Sequence, residues 1–358
     1  MSLKQKARHA WLKMNQANRF KAFICGLSGL KLTEEEVIFL GRERPWGVIL
    51  FARNISDANQ LQTLTRDIKN VFQNQNYPIL IDQEGGRVAR IAPPLARAHP
   101  PAAAYGTLYQ LNEKTGLEAA YLGGRIMADD LSAFGINVNC APCLDVACEE
   151  TAEIIGNRAF STDPMAVSAL GKEFMLGLLD GGILPVIKHL PGHGRGSVDS
   201  HLELPHVDTP QDILEITDFI PFTDNKDAPI AMTGHLLFSQ IDAQYVSTCS
   251  KKVINKIIRE TIGFNGLLMG DDVSMKALSG SLTERATASL DAGCDLILHC
   301  NGNLSEMQEI AAIARPLTGL AEERALRASD RLTKAHKPAG LKMEQHWGEL
   351  LSDIFKPA

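Results

Sequence analysis

The chain has 358 residues, 45% of them hydrophobic, which is ample for a large core. Its 42 acidic and 36 basic side chains leave a formal net charge of −6, and no basic stripe interleaves with aromatics, which argues against nucleic acid and anionic membrane surfaces as partners. Seven cysteines at irregular spacings make no disulfide framework and fit reduced thiols in a cytoplasmic protein. No apolar run approaches the roughly 20 residues that span a bilayer. The basic N-terminus lacks the long apolar core of a signal peptide.

Residues 1–18 have a helical pattern. The first apolar run covers 21–27, and Thr33 followed by Glu34-Glu35-Glu36 marks a helix start with acids at the positive end of its dipole. Runs at 46–51 and 78–81 bracket an amphipathic helix over 58–72. A long helix at 112–134 precedes the run 136–141. The helix at 164–179, with proline in its first turn and Gly181-Gly182 at its end, precedes the run 184–187. Runs at 230–232, 266–269 and 295–298 follow, with helices at 250–262 and 284–292.

Most of these runs are continuously apolar, as expected of parallel strands covered on both faces. Eight of them with intervening helices predict a (β/α)8 TIM barrel over about residues 20–315. An open doubly wound sheet competes, but no G-x-G-x-x-G follows the first run. Helices at 305–314, 320–336 and 343–355 are separated by Pro316/Gly319 and Pro338/Gly340; those in about 316–358 form a C-terminal addition. Residues 1–18 would close the barrel bottom. No low-complexity linker divides the chain, so a single domain is predicted for 1–358.

In a barrel, functional side chains project from the C-terminal strand ends. Those positions carry Arg53-Asn54, then Asp82-Gln83-Glu84-Gly85-Gly86-Arg87 with Arg90, then Asp145 with Asn157-Arg158 in the same loop. They continue with Lys188-His189, His235, Asp271-Asp272 and His299. The densest stretch is KHLPGHGRGSVDSH (188–201), where an apolar run breaks into a loop of proton carriers. Its glycines 192, 194 and 196 predict a mobile segment that folds over the mouth when ligand binds, and Asp199 lies within reach of His201. Of the tandem Asp271-Asp272, only one faces the mouth directly, and the other is expected to hydrogen-bond loop backbone.

Several features have simpler readings. Cys140-Ala-Pro-Cys143 has no thioredoxin-like context and fits core or barrel-lining thiols. His189, His193, His201 and His206 with Asp199 could ligate a metal, but on a glycine-broken loop they lack the rigid helical face of a zinc motif, so no metal is expected. His9, His99, His336 and His346 fit solvated or capping roles.

The set IDQEGGRVAR (81–90), NVNCAPCLDV (137–146), GNRAFSTDP (156–164), KHLPGHG…DSH (188–201) and GDDVSM (270–275) resembles glycoside hydrolase family 3, specifically its single-domain bacterial β-N-acetylglucosaminidases of peptidoglycan recycling. The resemblance runs from about residue 22 to 300 in the same order and on the same strand ends. It implies a retaining exo-β-N-acetylglucosaminidase, working through a covalent glycosyl-aspartate on N-acetylglucosamine-containing muropeptides or disaccharides, with no metal or organic cofactor. By the same resemblance Asp271 is the nucleophile, His201 the general acid/base oriented by Asp199, and Asp82, Arg90, Arg158, Lys188 and His189 hold the sugar. Two departures stand out: Gly270 replaces a frequent serine before the nucleophile, and Arg195-Gly196 replaces a frequent Asp-Thr, changing the charge of the loop. A β-glucosidase of the same family is the nearest alternative, though those generally draw acid residues from a second domain. A metal-dependent barrel hydrolase and a non-catalytic sugar-binding barrel are alternatives of other classes.

Overall fold

The computed structural model describes residues 19–148, 155–196, 204–332 and 338–355. Eight parallel strands close into a barrel: β1 (Lys21–Gly26), β2 (Pro45–Leu50), β3 (Ile79–Ile81), β4 (Val138–Asn139), β5 (Leu184–Leu190), β6 (Ile230–Thr233), β7 (Leu267–Asp272) and β8 (Leu296–His299). Each pairs with its sequence neighbours, and β8 closes on β1 through Phe23↔Ile297. Alternate residues of each strand go to opposite sides, which is why the runs are apolar throughout. Ile24, Ile49, Leu80, Met232, Met269 and Leu298 fill the barrel interior, while Phe23, Val48, Ile79, Leu268 and Ile297 pack under the outer helices.

The helices start and stop where the local chemistry dictates. α1 (Glu34–Glu43) opens on a capping box between Thr33 and Glu36. α2 (Ala58–Phe72) is capped by Asp57, and α5 (Pro164–Asp180) by Asp163 with proline in its first turn. α6 (Leu282–Ala292) repeats the capping box with Ser281 and Glu284, and α7 (Leu304–Ile313) is capped by Asn303. Between β3 and β4 lie α3 (Ala102–Leu111) and α4 (Glu113–Ser132), the first of which the sequence pattern does not reveal. The helix expected over 250–262 is π-helical across Val253–Thr261. α8 (Gly319–Arg331) and α9 (Leu341–Leu351) form the C-terminal addition, and the helix expected at 1–18 lies outside the described residues.

Two strands depart from expectation in ways that shape the barrel mouth. β4 is short because its neighbourhood holds Pro142 and Pro185, neither of which can donate to a ladder. The Asn139 side chain takes over, accepting from Gln83 N at 3.0 Å and donating to Gln83 O at 2.8 Å. β5 runs on past 187, so Lys188 and His189 are strand residues, not loop residues; the Lys188–His189 peptide bond is cis.

At the barrel bottom a buried carboxylate fastens the C-terminal addition. Asp295 pairs with Arg259 of the π-helical segment at 2.9 Å and with Arg324 of α8 at 3.0 Å, and also accepts from Leu268 N. Asp295→Ala would leave two largely buried guanidiniums without their counter-charge. The expected cost is about 3–5 kcal/mol, read as a lower midpoint in urea unfolding; an unchanged midpoint would mean that the clasp contributes nothing.

Candidate active site

A cavity of about 350 Å³ opens at the C-terminal ends of the strands. Its apolar floor is the top of the barrel interior, Ile49, Met232 and Leu298. Its polar wall includes Asp82, Glu84, Arg90, Arg158, Lys188, His189, His193, Asp271 and Asp272. The structure therefore brings together six of the residues singled out from the sequence: Asp82, Arg90, Arg158, Lys188, His189 and Asp271. Asp199 and His201 lie outside the described residues, so neither their pairing nor the expected loop closure is described.

Glu84, absent from the residues expected to bind or catalyse, is the hub of this wall. Its carboxylate takes two hydrogen bonds from Arg158, from Nε and Nη2 at 2.8 Å each, and an ion pair from Lys188 Nζ at 2.7 Å. Lys188 also reaches Asp82 at 2.9 Å, and Arg90 pairs with the other Asp82 oxygen at 3.3 Å. Burial alone would push the Asp82 carboxyl up, but the Lys188 ammonium and the Arg90 guanidinium outweigh it and hold it below the usual carboxylate range. Glu84, against the same burial, is held far lower by Lys188 and Arg158. Burial opposes the charge on Lys188, yet Asp82 and Glu84 raise it above an ordinary lysine. A buried lysine and a buried arginine converging on one point demand a carboxylate between them, and D-Q-E after β3 was the signal that could have found it.

A second carboxylate, Asp145, organises the start of the stretch at 188–201. Fully buried, it accepts from His189 N at 3.2 Å and His193 N at 2.7 Å, and pairs with His189 Nδ1 at 2.7 Å. That pairing places the ring proton on Nδ1 and turns Nε2 toward Arg158, 3.4 Å away. Burial lowers His193 to about 4, so its ring is neutral at pH 7. Gly194 has a steric reason to be glycine: a Cβ there would lie 1.7 Å from Val146 O. Arg195 pairs with the buried Asp218 at 2.8 Å, so its charge is neutralised against the helical layer.

The tandem carboxylates of β7 differ in their partners. Asp272 accepts from Ser274 N at 3.0 Å, Ser274 Oγ at 2.7 Å and Cys300 N at 3.3 Å, the loop-binding role expected for one of the pair. Among the described residues, the hydrogen bond to the Asp271 carboxylate comes from Asp272 N at 2.8 Å. Burial pushes Asp271 up, but His235, His189, that N–H and Lys188 together hold it below the usual range, so it is an anion at neutral pH. His235 is fully buried, bonded through Nδ1 to Thr248 Oγ1 at 2.8 Å and through Nε2 to Asp272 O at 3.0 Å.

Among the described residues, Cys143, Asp145 and His189 are the group whose ligating atoms lie within 4.8 Å of one another. They are already joined: Cys143 Sγ donates to Asp145 at 3.1 Å, as His189 does. Burial and the adjacent Asp145 raise the Cys143 thiol well above its ordinary value, so it is the donor in this pair. Cys140 is buried in the barrel interior, as the C-x-x-C reading anticipated.

A parallel barrel whose mouth carries paired cations, ionised carboxylates and imidazoles, with an apolar floor, is the architecture of an enzyme site for a small polar molecule. Residues 13–335 match the N-terminal domain of glycosyl hydrolase family 3, and the chain belongs to that family. A beta-hexosaminidase from Thioalkalivibrio sulfidiphilus is 36% identical over 339 residues, 93% of this chain and 92% of its own. Another from Chromobacterium violaceum is 37% identical over 294 residues, 81% of each chain. The crystal structure of NagZ from Neisseria gonorrhoeae in complex with N-trifluoroacetyl-D-glucosamine superposes with a TM-score of 0.81 at 30% identity, covering 94% of this chain and 97% of that one.

The carboxylates of the wall set an acid limit on stability. Asp82, Glu84, Asp145 and Asp271 all sit below their ordinary values, so the folded chain binds fewer protons than the unfolded one in mild acid. Their contribution is complete above the unfolded values and is lost as pH falls from about 4.5 toward the folded ones. Glu84→Gln should be less stable than wild type at pH 7, yet lose less stability over that acid window. Parallel unfolding free energies of the two proteins between neutral pH and pH 3 would contradict the assignment.

Proposed function

We propose that this chain hydrolyses β-linked, terminal N-acetylglucosamine from small carbohydrate fragments with retention of configuration. As a family 3 member with beta-hexosaminidase relatives, it is a glycoside hydrolase of the β-N-acetylhexosaminidase class. The observation that carries the finer reading is the company Asp271 keeps: an ionised carboxylate in the same cavity as the Asp82–Lys188–Glu84–Arg158 chain of charges. Retention needs a nucleophile on one face of the anomeric carbon and a proton donor for the departing oxygen. An anionic Asp271 can form the glycosyl ester, and the tied-up Asp272 is the poorer candidate.

In this reading His201, oriented by Asp199, protonates the leaving oxygen and later takes a proton from water. A neighbouring carboxylate favours the imidazolium that the first step requires. The wall binds the sugar through capacity left over after its internal pairs. Lys188 has three N–H donors and spends two on Asp82 and Glu84, leaving one for a sugar hydroxyl. Arg90 adds a donor and Asp82 an acceptor, Arg158 adds its positive charge, and His189 presents Nε2 at the wall. Because these charges are positioned before the substrate arrives, little reorganisation is left for the transition state. The fragments would be muropeptides or disaccharides of peptidoglycan recycling in the cytoplasm, and no metal or organic cofactor enters a step.

Three measurements test this. Among aryl β-glycosides, the N-acetylglucosaminide should be cleaved in strong preference to the glucoside and xyloside; preference for the glucoside would favour the β-glucosidase alternative. Asp271→Ala should lower kcat by several orders of magnitude, while Asp272→Asn should act mainly through folding. His201→Ala should slow poor leaving groups far more than activated ones, because only the former need protonation. Equal losses along a leaving-group series would reduce His201 to a binding role.

A further inference from the structure

Helix α9 lies beyond residues 13–335, which match the family model, yet it is linked to the active-site wall through two layers of contacts. The outer layer is polar and aromatic. Glu344 of α9 takes both ends of the Arg97 guanidinium, at 2.8 Å each, and Trp347 sets its ring 5.4 Å from that of His99. The sequence suggests a solvated or capping role for His99. Instead its side chain is almost wholly buried and pairs through Nε2 with Asp130 of α4 at 2.8 Å, and Arg97 pairs with the other oxygen of Asp130. The inner layer is main chain. His99 O accepts from Gly86 N at 2.9 Å. A Cβ on Gly85 would lie 2.2 Å from Pro100 O, and Gly85 has φ +101°, so the turn after Glu84 rests directly on residues 99–101.

We propose that α9 braces the sugar-binding wall, with Arg97, His99 and Trp347 as positioning residues for Glu84. This rests on the reading of that wall as the sugar site. Glu84 is the point where Arg158 and Lys188 meet, and Gly85-Gly86 is its immediate continuation, so a shift of 99–101 moves the carboxylate that aims both cations. No part of α9 need touch substrate. The contacts predict a defect in sugar binding rather than in bond cleavage, because Asp271 is carried by β7, on another side of the barrel.

The test is steady-state kinetics of the full chain on an aryl N-acetyl-β-glucosaminide, at a temperature where each variant is folded by circular dichroism. Trp347→Ala should raise KM on the order of tenfold with a smaller change in kcat, since small displacements of positioning groups are costly. Trp347→Phe should recover most of that loss. Glu344→Gln should give a milder rise, and it decides the matter if Trp347→Ala does not fold. His346→Ala removes an exposed side chain of the same helix that is no part of the His99 contact and should leave KM unchanged. An unchanged KM in Trp347→Ala and Glu344→Gln, or an equal rise in His346→Ala, overturns the brace. Arg158→Ala separates the two levels. If it binds N-acetylglucosamine like wild type, the reading of the wall fails and the brace with it; if it is weakened while the α9 variants are not, only the brace fails.

Discussion

The site depends on one buried arrangement of charge, the carboxylate of Glu84 held between Lys188 and Arg158. Taking three ions out of water is expensive, and their attraction repays it only when the geometry is close and the remaining hydrogen-bonding capacity is used. Here Arg158 is bidentate, and Lys188 has a second carboxylate in Asp82. The partners come from different parts of the barrel: Glu84 and Asp82 follow β3, Arg158 precedes α5, and Lys188 stands on β5. None of these segments can shift alone without exposing an unpaired ion. The cluster therefore does more to specify one arrangement of the mouth than to stabilise the fold.

Around that hub, carboxylates of the same chemical type take different roles from their surroundings. Asp145 is consumed by backbone N–H groups, a thiol and an imidazole, and fixes where His189 and His193 point. Asp272 is consumed by Ser274 and Cys300 N and fixes the turn after β7. Asp271, one residue earlier, has Asp272 N as its donor among the described residues, and His235, His189, that N–H and Lys188 together hold it below the usual range. An anion with spare lone pairs facing a cavity can react, whereas a saturated one holds structure.

Much of this was legible in the chain. Continuous apolar runs betrayed strands covered on both faces, and capping residues such as Thr33, Asp57 and Asp163 marked helix starts. Charged or imidazole side chains at seven of the eight strand ends pointed to one functional face. What stayed hidden was pairing. Nothing in the local pattern around His99 reveals that Asp130 and Trp347 enclose it, because those contacts span long stretches of chain. Gly194 was equally opaque: a glycine required by a neighbouring carbonyl looks, in sequence, like one required by mobility. Glu84 was visible but unremarked, since its role follows only once Lys188 and Arg158 are known to converge. Arg195 misled for the same reason, its charge being cancelled by the distant Asp218.

The central claim is that the Asp271 carboxylate, oriented beside this charge cluster, attacks the sugar. The most direct measurement is to inactivate the enzyme with a fluorinated N-acetylglucosaminyl donor that forms its intermediate faster than it releases it, then map the adduct by peptide mass spectrometry. The account predicts one sugar per chain, esterified to Asp271, with loss of activity in step with labelling. A sugar on Asp272, or complete turnover with inversion and no covalent adduct, would contradict it.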